Sequence, residues 1–313
     1  MDSMFGDVAA AIQRNPVKVM EDVAYVAAGH GHVMIIDTNG TLWGVGTNSQ
    51  GQLGNGTIAE RPYPVRVMDN VIAVSAGQSH TVALTADGSL WTWGNNGSGE
   101  LGDGTRYTRH DPIHIMDDVI AISAGRIHTT AITADGSLWV WGWSISGQGT
   151  RLEGGTWSSH IPAIMMDDVI AVSAGNDYTM AITADGILWG WGRNNGQLGD
   201  GFDTDRNDPV KIKDDVIAVS ASSGSTMAIT ADGVLWAWGS NFGGQLGDGT
   251  TSTRHLPTRI TDNIAAVSHG NAHTLAIGTD GALWTWGNNM HGQLGLGDSS
   301  EVHNTASPIR INN

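Results

Sequence analysis

Four histidines stand at one equivalent place: His32, His80, His128 and His273 each close a Gly-x-x-His string. Imidazole there could be a general base, a metal ligand or a hydrogen-bonding strut. Four copies spread along 313 residues cannot share one catalytic centre, and Tyr178 and Ser225 take the same place in two further copies. The position is therefore expected to be structural, bonding a neighbouring turn. His110 and His114 are four apart, but Pro112 between them removes the helical face that a zinc pair needs. Asp203, Asp205, Asn207 and Asp208 alternate like a calcium loop, yet Pro209 follows and no glycine occupies the bend. Gly142-Trp143-Ser144-Ile145-Ser146 lacks the closing glycine of a nucleophile elbow. The three lysines, Lys18, Lys211 and Lys213, follow no glycine-rich turn that could cradle phosphate, and there is no cysteine for thiolate chemistry. No asymmetric cluster of acid, base and nucleophile emerges, so the expectation is a non-enzyme without metal or cofactor.

The elements that carry these residues are set by an internal repeat. The string Asp-Gly-x-Leu-Trp-x-Trp-Gly recurs at Asp87, Asp135, Asp185, Asp232 and Asp280, with a weaker first copy at Asn39. The spacings are 48, 48, 50, 47 and 48 residues, giving six units. Each unit holds four strand-like runs. In the second, Val71–Ala76 is rich in β-branched residues and His80–Thr85 alternates. Ala86-Asp87-Gly88 is a hairpin turn, Leu90–Trp93 follows, and Pro112–Ile115 suits an edge strand. A period of 40 to 50 residues with this content indicates propeller blades. The expected fold is all-β, a β-propeller of six four-stranded antiparallel blades, with an incomplete or open seven-blade array as the alternative. That alternative arises because Pro16–Met20 reads as an extra fourth strand, making seven with Pro308–Ile311. Residues 1–15 read as an extension, helical through Met4, Phe5, Val8 and Ile12 or else frayed, and residues 16–313 as one propeller domain. The paired tryptophans Trp91/Trp93, Trp139/Trp141, Trp189/Trp191, Trp236/Trp238 and Trp284/Trp286 are expected to fill the contacts between neighbouring sheets.

Ala76-Gly77-Gln78-Ser79-His80-Thr81, then Leu90-Trp91-Thr92-Trp93-Gly94-Asn95-Asn96, then Gly99-Glu100-Leu101-Gly102, resembles the regulator of chromosome condensation repeat. The resemblance runs from about residue 22 to 311 and appears in all six units. It implies a propeller, usually of seven blades, that binds other macromolecules through one face. The family includes a guanine-nucleotide exchange factor, a plant ultraviolet-B photoreceptor and a bacterial β-lactamase inhibitor. The near-identity of the units is similar to bacterial members.

In a meander, successive turns alternate between the two ends of the sheet. The Gly-x-x-His turns and Trp-Gly loops must therefore share one end, and the Asp-Gly hairpins and Asp-Asp links the other. The second end gathers acid such as Asp87, Asp117, Asp118, Asp135, Asp167 and Asp168, which ordinary turn chemistry accounts for. At the first end the units differ, and the resemblance implies partner contacts there. The candidate surface comprises Gln78, Arg126, Ile127, Asn176, Asp177 and Asn271 from the turns, with Arg193, Phe242, Met290 and His291 from the loops. Unit three is the outlier. Trp143 and Trp157, the two tryptophans outside the regular positions, fall with Ile145 in its loop, and Arg126 stands in the adjacent turn. Loop tryptophan beside arginine is interface hot-spot composition, with self-packing as the competing account. No turn pair contains the tryptophan that light sensing would need.

Composition bounds the partner. Fifteen Lys plus Arg against 31 Asp plus Glu give a net charge of −16, which disfavours polyanions such as nucleic acid and anionic membranes. No apolar run approaches the ~18 residues of a membrane span, and acid stands at the amino terminus where a signal peptide carries base. The reading is a non-enzymatic module binding a protein partner through the loops of one propeller face. The alternatives are a lectin-like glycan binder and an inhibitor of a secreted enzyme. A secreted or cell-surface bacterial setting is the leaning, with self-association expected if the ring is open.

Overall fold

The computed structural model describes residues 18–144, 150–151, 157–296 and 305–311. All elements among them are strands, arranged in six antiparallel meanders in chain order. These are the blades of a β-propeller. The second is representative, with Val71–Ala76, His80–Thr85, Leu90–Gly94 and the edge strand Arg109–Met116 hydrogen-bonded in that order. The third also carries a two-residue strand, Thr150–Arg151, beyond its edge strand Trp157–Met166. By contacts the described chain falls into two compact units, residues 18–177 and 178–311. The proposed extension 1–15 lies outside the described residues. Lys18–Met20, the described part of the Pro16–Met20 run, forms no strand, so the described edge strands number six rather than seven.

Local chemistry explains the meander. At the hairpin of sheet two, Gly88 has φ +83°, the left-handed conformation that glycine adopts without cost. The Asp87 carboxylate accepts from the Thr85 hydroxyl at 2.7 Å and the Ser89 N–H at 3.2 Å. These bonds, the Thr85 hydroxyl foremost, hold the Asp87 carboxyl below the usual range. The links between sheets also turn through positive φ, at Asp22, Asn70, Asp118, Asp168, Asp215 and Asn263. Asn and Asp tolerate that conformation best among residues with a side chain, which explains the recurring link composition.

The core lies between neighbouring sheets. Within the first unit, Val82, Leu84 and Leu90 of sheet two pack against Val119, Ala131 and Trp141 of sheet three. Within the second, Met227, Ile229, Leu235 and Leu246 of sheet five meet Ile264, Ala276 and Trp286 of sheet six. The two tryptophans of each repeat share this contact but not its depth. Trp93, Trp141, Trp191, Trp238 and Trp286 are fully buried or nearly so. Trp91, Trp139, Trp189 and Trp236 are half-buried, and each indole N–H donates to a threonine of its own hairpin.

Four of the deep indoles, Trp93, Trp141, Trp238 and Trp286, also lock onto the sheet before them. Trp93 Nε1 donates to the Gln52 carbonyl at 2.9 Å, and Thr81 Oγ1 donates to the same oxygen at 2.8 Å. Trp141 with Thr129 on Glu100, Trp238 with Thr226 on Gln197 and Trp286 with Thr274 on Gln245 repeat the arrangement. A glycine seats each indole: an added Cβ at Gly54, Gly102, Gly199 or Gly247 would stand 2.6–2.7 Å from its nitrogen.

Candidate functional site: the loop-bearing end of the blades

The Gly-x-x-His turns and Trp-Gly loops meet at one end of the sheets. Asn95 N donates to Ser79 O at 2.8 Å, and Thr47, Trp143, Ser240 and Asn288 make the equivalent bond to residues 31, 127, 224 and 272. A buried asparagine holds each regular loop. Asn96 Oδ1 accepts from Leu101 N, while its Nδ2 donates to Asp103 and to the carbonyls of Thr105 and Tyr107. Asn48, Asn194 and Asn241 repeat the device. Such anchoring leaves the following residue at the tip, and there the sequence is free to vary.

In the first unit the turns are knitted together. Gln78 N donates to Arg126 O and Arg126 N to Asn176 O, both at 3.3 Å. The Arg126 guanidinium is engaged as well, its Nε and terminal nitrogen lying 2.9 and 2.7 Å from Asp177 Oδ1. Arg126, Ile127, Asn176 and Asp177 are all only partly exposed. Trp143 does not lie in a loop. It belongs to the lengthened third strand Leu138–Ser144, and Trp157 opens the ten-residue edge strand opposite, with Trp143 facing Ser158 and Ser144 facing Trp157. Position 144, where the regular loops carry their anchoring asparagine, is serine and is the last residue of this strand. Ile145 lies outside the described residues.

In the second unit Phe242 and Met290 occupy equivalent tips, each directly after the anchoring asparagine of its loop. They are 82% and 60% exposed, and Asn271 and His291 are also exposed. Between sheets five and six a cleft of about 400 Å³ is lined by Ser223, Ser240, Phe242, Gln245, Asn271 and Asn288. Its lining is uncharged, mixing hydroxyl and amide side chains with Gly224, Gly243, Ala272 and the Phe242 ring, and the Ser223 hydroxyl bonds to Asn271. The structure thus brings Phe242 and Asn271 to one cleft with Met290 close in sequence to Asn288, whereas Arg193 is exposed on the loop of sheet four, directly before the anchoring Asn194.

Beneath the turns the repeat histidines work as struts. His32 Nε2 lies 3.0 Å from Thr81 Oγ1, and His80 Nε2 the same distance from Thr129 Oγ1. Each threonine hydroxyl already donates to the Gln52 or Glu100 carbonyl, so the ring must donate and is the neutral Nε2–H tautomer. Burial lowers the pKa to about 4 for His32 and His128 and about 3 for His80. The preceding glycine follows from the ring, since an added Cβ at Gly77 would stand 2.3 Å from His80. Tyr178 fills the same place with its hydroxyl 2.9 Å from Thr226 Oγ1.

Where Ser225 takes that place, His269 enters from the next sheet. Its Nε2 lies 2.6 Å from Ser225 Oγ and its Nδ1 2.8 Å from Thr274 Oγ1. Thr274 donates to the Gln245 carbonyl, so His269 is the Nδ1–H tautomer and accepts from Ser225. The pair has the distance of a nucleophile and its base, but Ser225 is wholly buried and the third partner is a hydroxyl that cannot steady an imidazolium. Sequence reasoning missed His269; its signal is His269-Gly270 where the sibling turns read Ala-Gly or Ala-Ser. Among the described residues no group of three or more His, Asp or Glu could hold a metal. Asp203 pairs with His255 at 2.9 Å, and Asp205 accepts from Asn194 N at 2.7 Å.

Six meanders, four of them locked to the preceding sheet by a threonine and a tryptophan, with variable tips at one end, define a repeat β-propeller. The chain belongs to the regulator of chromosome condensation (RCC1) repeat family. Two family models match it, one over residues 23–52, 71–100, 119–148, 169–197, 216–245 and 264–293, the other over 39–84, 87–132, 185–229, 232–277 and 280–313. Among solved structures it is similar to human WBSCR16, at 24% identity and TM-score 0.82 over 96% of this chain and 85% of that one. It is also similar to yeast RCC1 (Prp20) in a structure bound to Kap60, at 20% identity and TM-score 0.81 over 93% and 75%. A structure of Prp20p from Saccharomyces cerevisiae, described with its binding to Gsp1p and histones, matches at 20% identity and TM-score 0.79 over 93% and 77%. No curated protein sequence matches.

Proposed function

We propose that the chain is a non-catalytic module that binds a protein partner at the loop-bearing end of its blades, over sheets five and six. The observation that carries this reading is Phe242, a phenylalanine 82% exposed at the rim of an uncharged cleft. Leaving so large an apolar side chain in water forgoes about 1.5–3 kcal/mol of burial, which a partner recovers. Met290, adaptable in shape, stands at the equivalent tip of the next loop. An aromatic anchor beside hydrogen-bonding groups has the make-up of an interface centre. Yeast Prp20, which shares the fold, binds proteins. In the first unit, Ile127 and Trp143 are the candidates for a second patch, while Arg126 is already committed to Asp177.

The test is capture of partners by wild type and by Phe242→Ala/Met290→Ala, with unfolding temperature measured in parallel. Binding should fall at least tenfold while stability stays level, because both side chains stand in solvent. Unchanged capture would sink the reading. The cleft's uncharged amide and hydroxyl lining beside an aromatic ring also suits a glycan; saturable binding of oligosaccharides in place of a protein would favour that second reading.

A further inference from the structure

We infer that Asn55 is a site of spontaneous deamidation, and that the aspartate it forms completes an ion pair with Arg61 that the loop lacks as synthesised. In three sibling loops one aspartate serves two sets of donors. Asp103 Oδ1 accepts from Asn96 Nδ2 at 2.9 Å, Thr105 N at 2.9 Å and Thr105 Oγ1 at 2.7 Å. Its Oδ2 accepts from Arg109 Nε at 2.9 Å and a terminal nitrogen at 2.6 Å. Asp200 with Arg206 and Asp248 with Arg254 repeat this division, Nε meeting Oδ2 at 2.6 and 2.7 Å. In the first blade Arg61 keeps the arginine, paired with Gly46 as Arg109 is with Gly94, but asparagine stands at position 55 in place of the acid. Asn55 Oδ1 takes the first set of donors, Asn48 Nδ2 at 3.1 Å, Thr57 N at 3.2 Å and Thr57 Oγ1 at 2.8 Å. Its Nδ2 is left in the place of Asp103 Oδ2, a donor where the arginine needs an acceptor. Arg61 Nε is accordingly buried with no hydrogen-bond partner among the described residues. Turning the amide over only moves the fault, because Nδ2 would then confront Asn48 Nδ2 and Thr57 N. An amide has one acceptor oxygen and a carboxylate two, so an acid satisfies both sides.

The next residue supplies the chemistry. Gly56 is exposed, and with no side chain its backbone nitrogen is unshielded from the Asn55 carboxamide. Its N–H donates to His110 O at 3.0 Å, so the reaction accompanies a local opening that breaks this bond. Gly56 N attacks Asn55 Cγ, the Cγ–Nδ2 bond breaks, and the glycine proton departs with the amine as ammonia. Water then adds to Cγ of the succinimide and cleaves the new Cγ–N bond. One proton of the water returns to Gly56 N and the other passes to solvent, leaving an ordinary peptide bond and a carboxylate on residue 55. Water adding at the main-chain carbonyl gives isoaspartate instead, whose lengthened backbone does not fit the loop. Asn96-Gly97 is an internal control, because the Asn96 carboxamide is buried with both of its ends bonded.

The full chain is incubated folded in mildly alkaline buffer, then digested and mapped by mass spectrometry with fragmentation that separates aspartate from isoaspartate. We expect acid at residue 55, with α-aspartate among the products, forming at least tenfold faster than at Asn96. Urea midpoints are measured in parallel for Asn55→Asp, Arg61→Gln and the double variant. Asn55→Asp should raise the midpoint, and the Arg61→Gln background should remove about half of that rise or more. Asn39→Asp, which sets a new carboxylate beside Asp37 rather than an arginine, should give no rise. Conversion no faster than at Asn96, isoaspartate as the sole product, no rise with Asn55→Asp, or a rise indifferent to Arg61 or matched by Asn39→Asp would overturn the inference.

Discussion

His269 makes a quantitative prediction about how neighbouring repeats compensate one another. Replacing it by alanine removes two buried hydrogen bonds, to Ser225 at 2.6 Å and Thr274 at 2.8 Å, each contributing about 1 kcal/mol. The imidazole also leaves a cavity, since Ser225 and Thr274 are fully buried and cannot swing to water. Together these predict a loss of about 3 kcal/mol for His269→Ala. Ser225→His alone should cost ~1–3 kcal/mol, because two rings would compete for one space. It would also meet Ser222, which stands where the siblings keep glycine: an added Cβ at Gly77 lies 2.3 Å from the His80 ring. The triple variant Ser222→Gly/Ser225→His/His269→Ala rebuilds the arrangement seen at His80 and Thr129. It should recover most of the loss, apart from the Ser222 Oγ bond to Gly270 O at 2.7 Å. The assay is urea unfolding of the wild type, the two single variants and the triple, read by tryptophan fluorescence, with stability taken from each midpoint and slope. A favourable coupling of about 2 kcal/mol or more is expected. Additive losses would refute the idea that the three positions exchange as a set.

Two further predictions follow from the same interior. His32, His80, His128 and His269 have pKa values lowered by burial to about 4, 3, 4 and 3. An unfolded histidine titrates near 6.5, so unfolding takes up protons between about pH 6.5 and 4, and stability falls as pH falls through that window. Near pH 5 four such groups give a slope on the order of 5 kcal/mol per pH unit. Denaturant midpoints measured from pH 7 to 4.5 check this, and a flat profile would mean the rings are charged or open to water in the fold. Trp238→Phe keeps most of the apolar contact but loses the bond to the Gln197 carbonyl, which still accepts from Thr226. A loss of about 1–2 kcal/mol is expected, and a loss below about 0.5 kcal/mol would show that the indole lock adds little beyond packing.

How much of this can be read from the sequence depends on how local each feature is. The strands, hairpins and links are legible because Asp-Gly and Asp-Asp turns recur at a fixed period, and backbone sterics tie those residue types to positive φ. The two ends of the sheets follow from counting turns. The division of labour within each tryptophan pair is hidden, because Trp91 and Trp93 look alike two residues apart, and the depth of each depends on the preceding sheet. Along the chain Arg126 reads as a projecting group, yet its partner Asp177 lies 51 residues away in the next turn. Trp143 and Trp157 read as loop residues, because unit three lacks the Gly-x-Leu-Gly string of its siblings, and instead both lie in strands. His269 shows in the sequence only as a His-Gly pair where siblings have Ala-Gly or Ala-Ser, and its role, like that of Asp177, is hidden because each acts on a residue one repeat away.

A near-identical repeat makes departures informative only when they are read in register across neighbours. Ser222, Ser225 and His269 each look like ordinary polar residues along the chain. Placed in the sheets, they are three coupled exchanges that preserve one hydrogen-bonded path. In sheet one Val33 and Val45 stand at the threonine and tryptophan positions, so both donors are lost together. The Phe242 and Met290 tips differ in kind, because no neighbouring residue compensates for their exposure. Changes that repair an interior contact follow from the scaffold, whereas an uncompensated apolar tip beside an uncharged cleft has to be explained by something outside the scaffold. That distinction is why the candidate contact surface is placed at Phe242 rather than at the buried Ser225–His269 pair, although the latter has the more reactive-looking geometry.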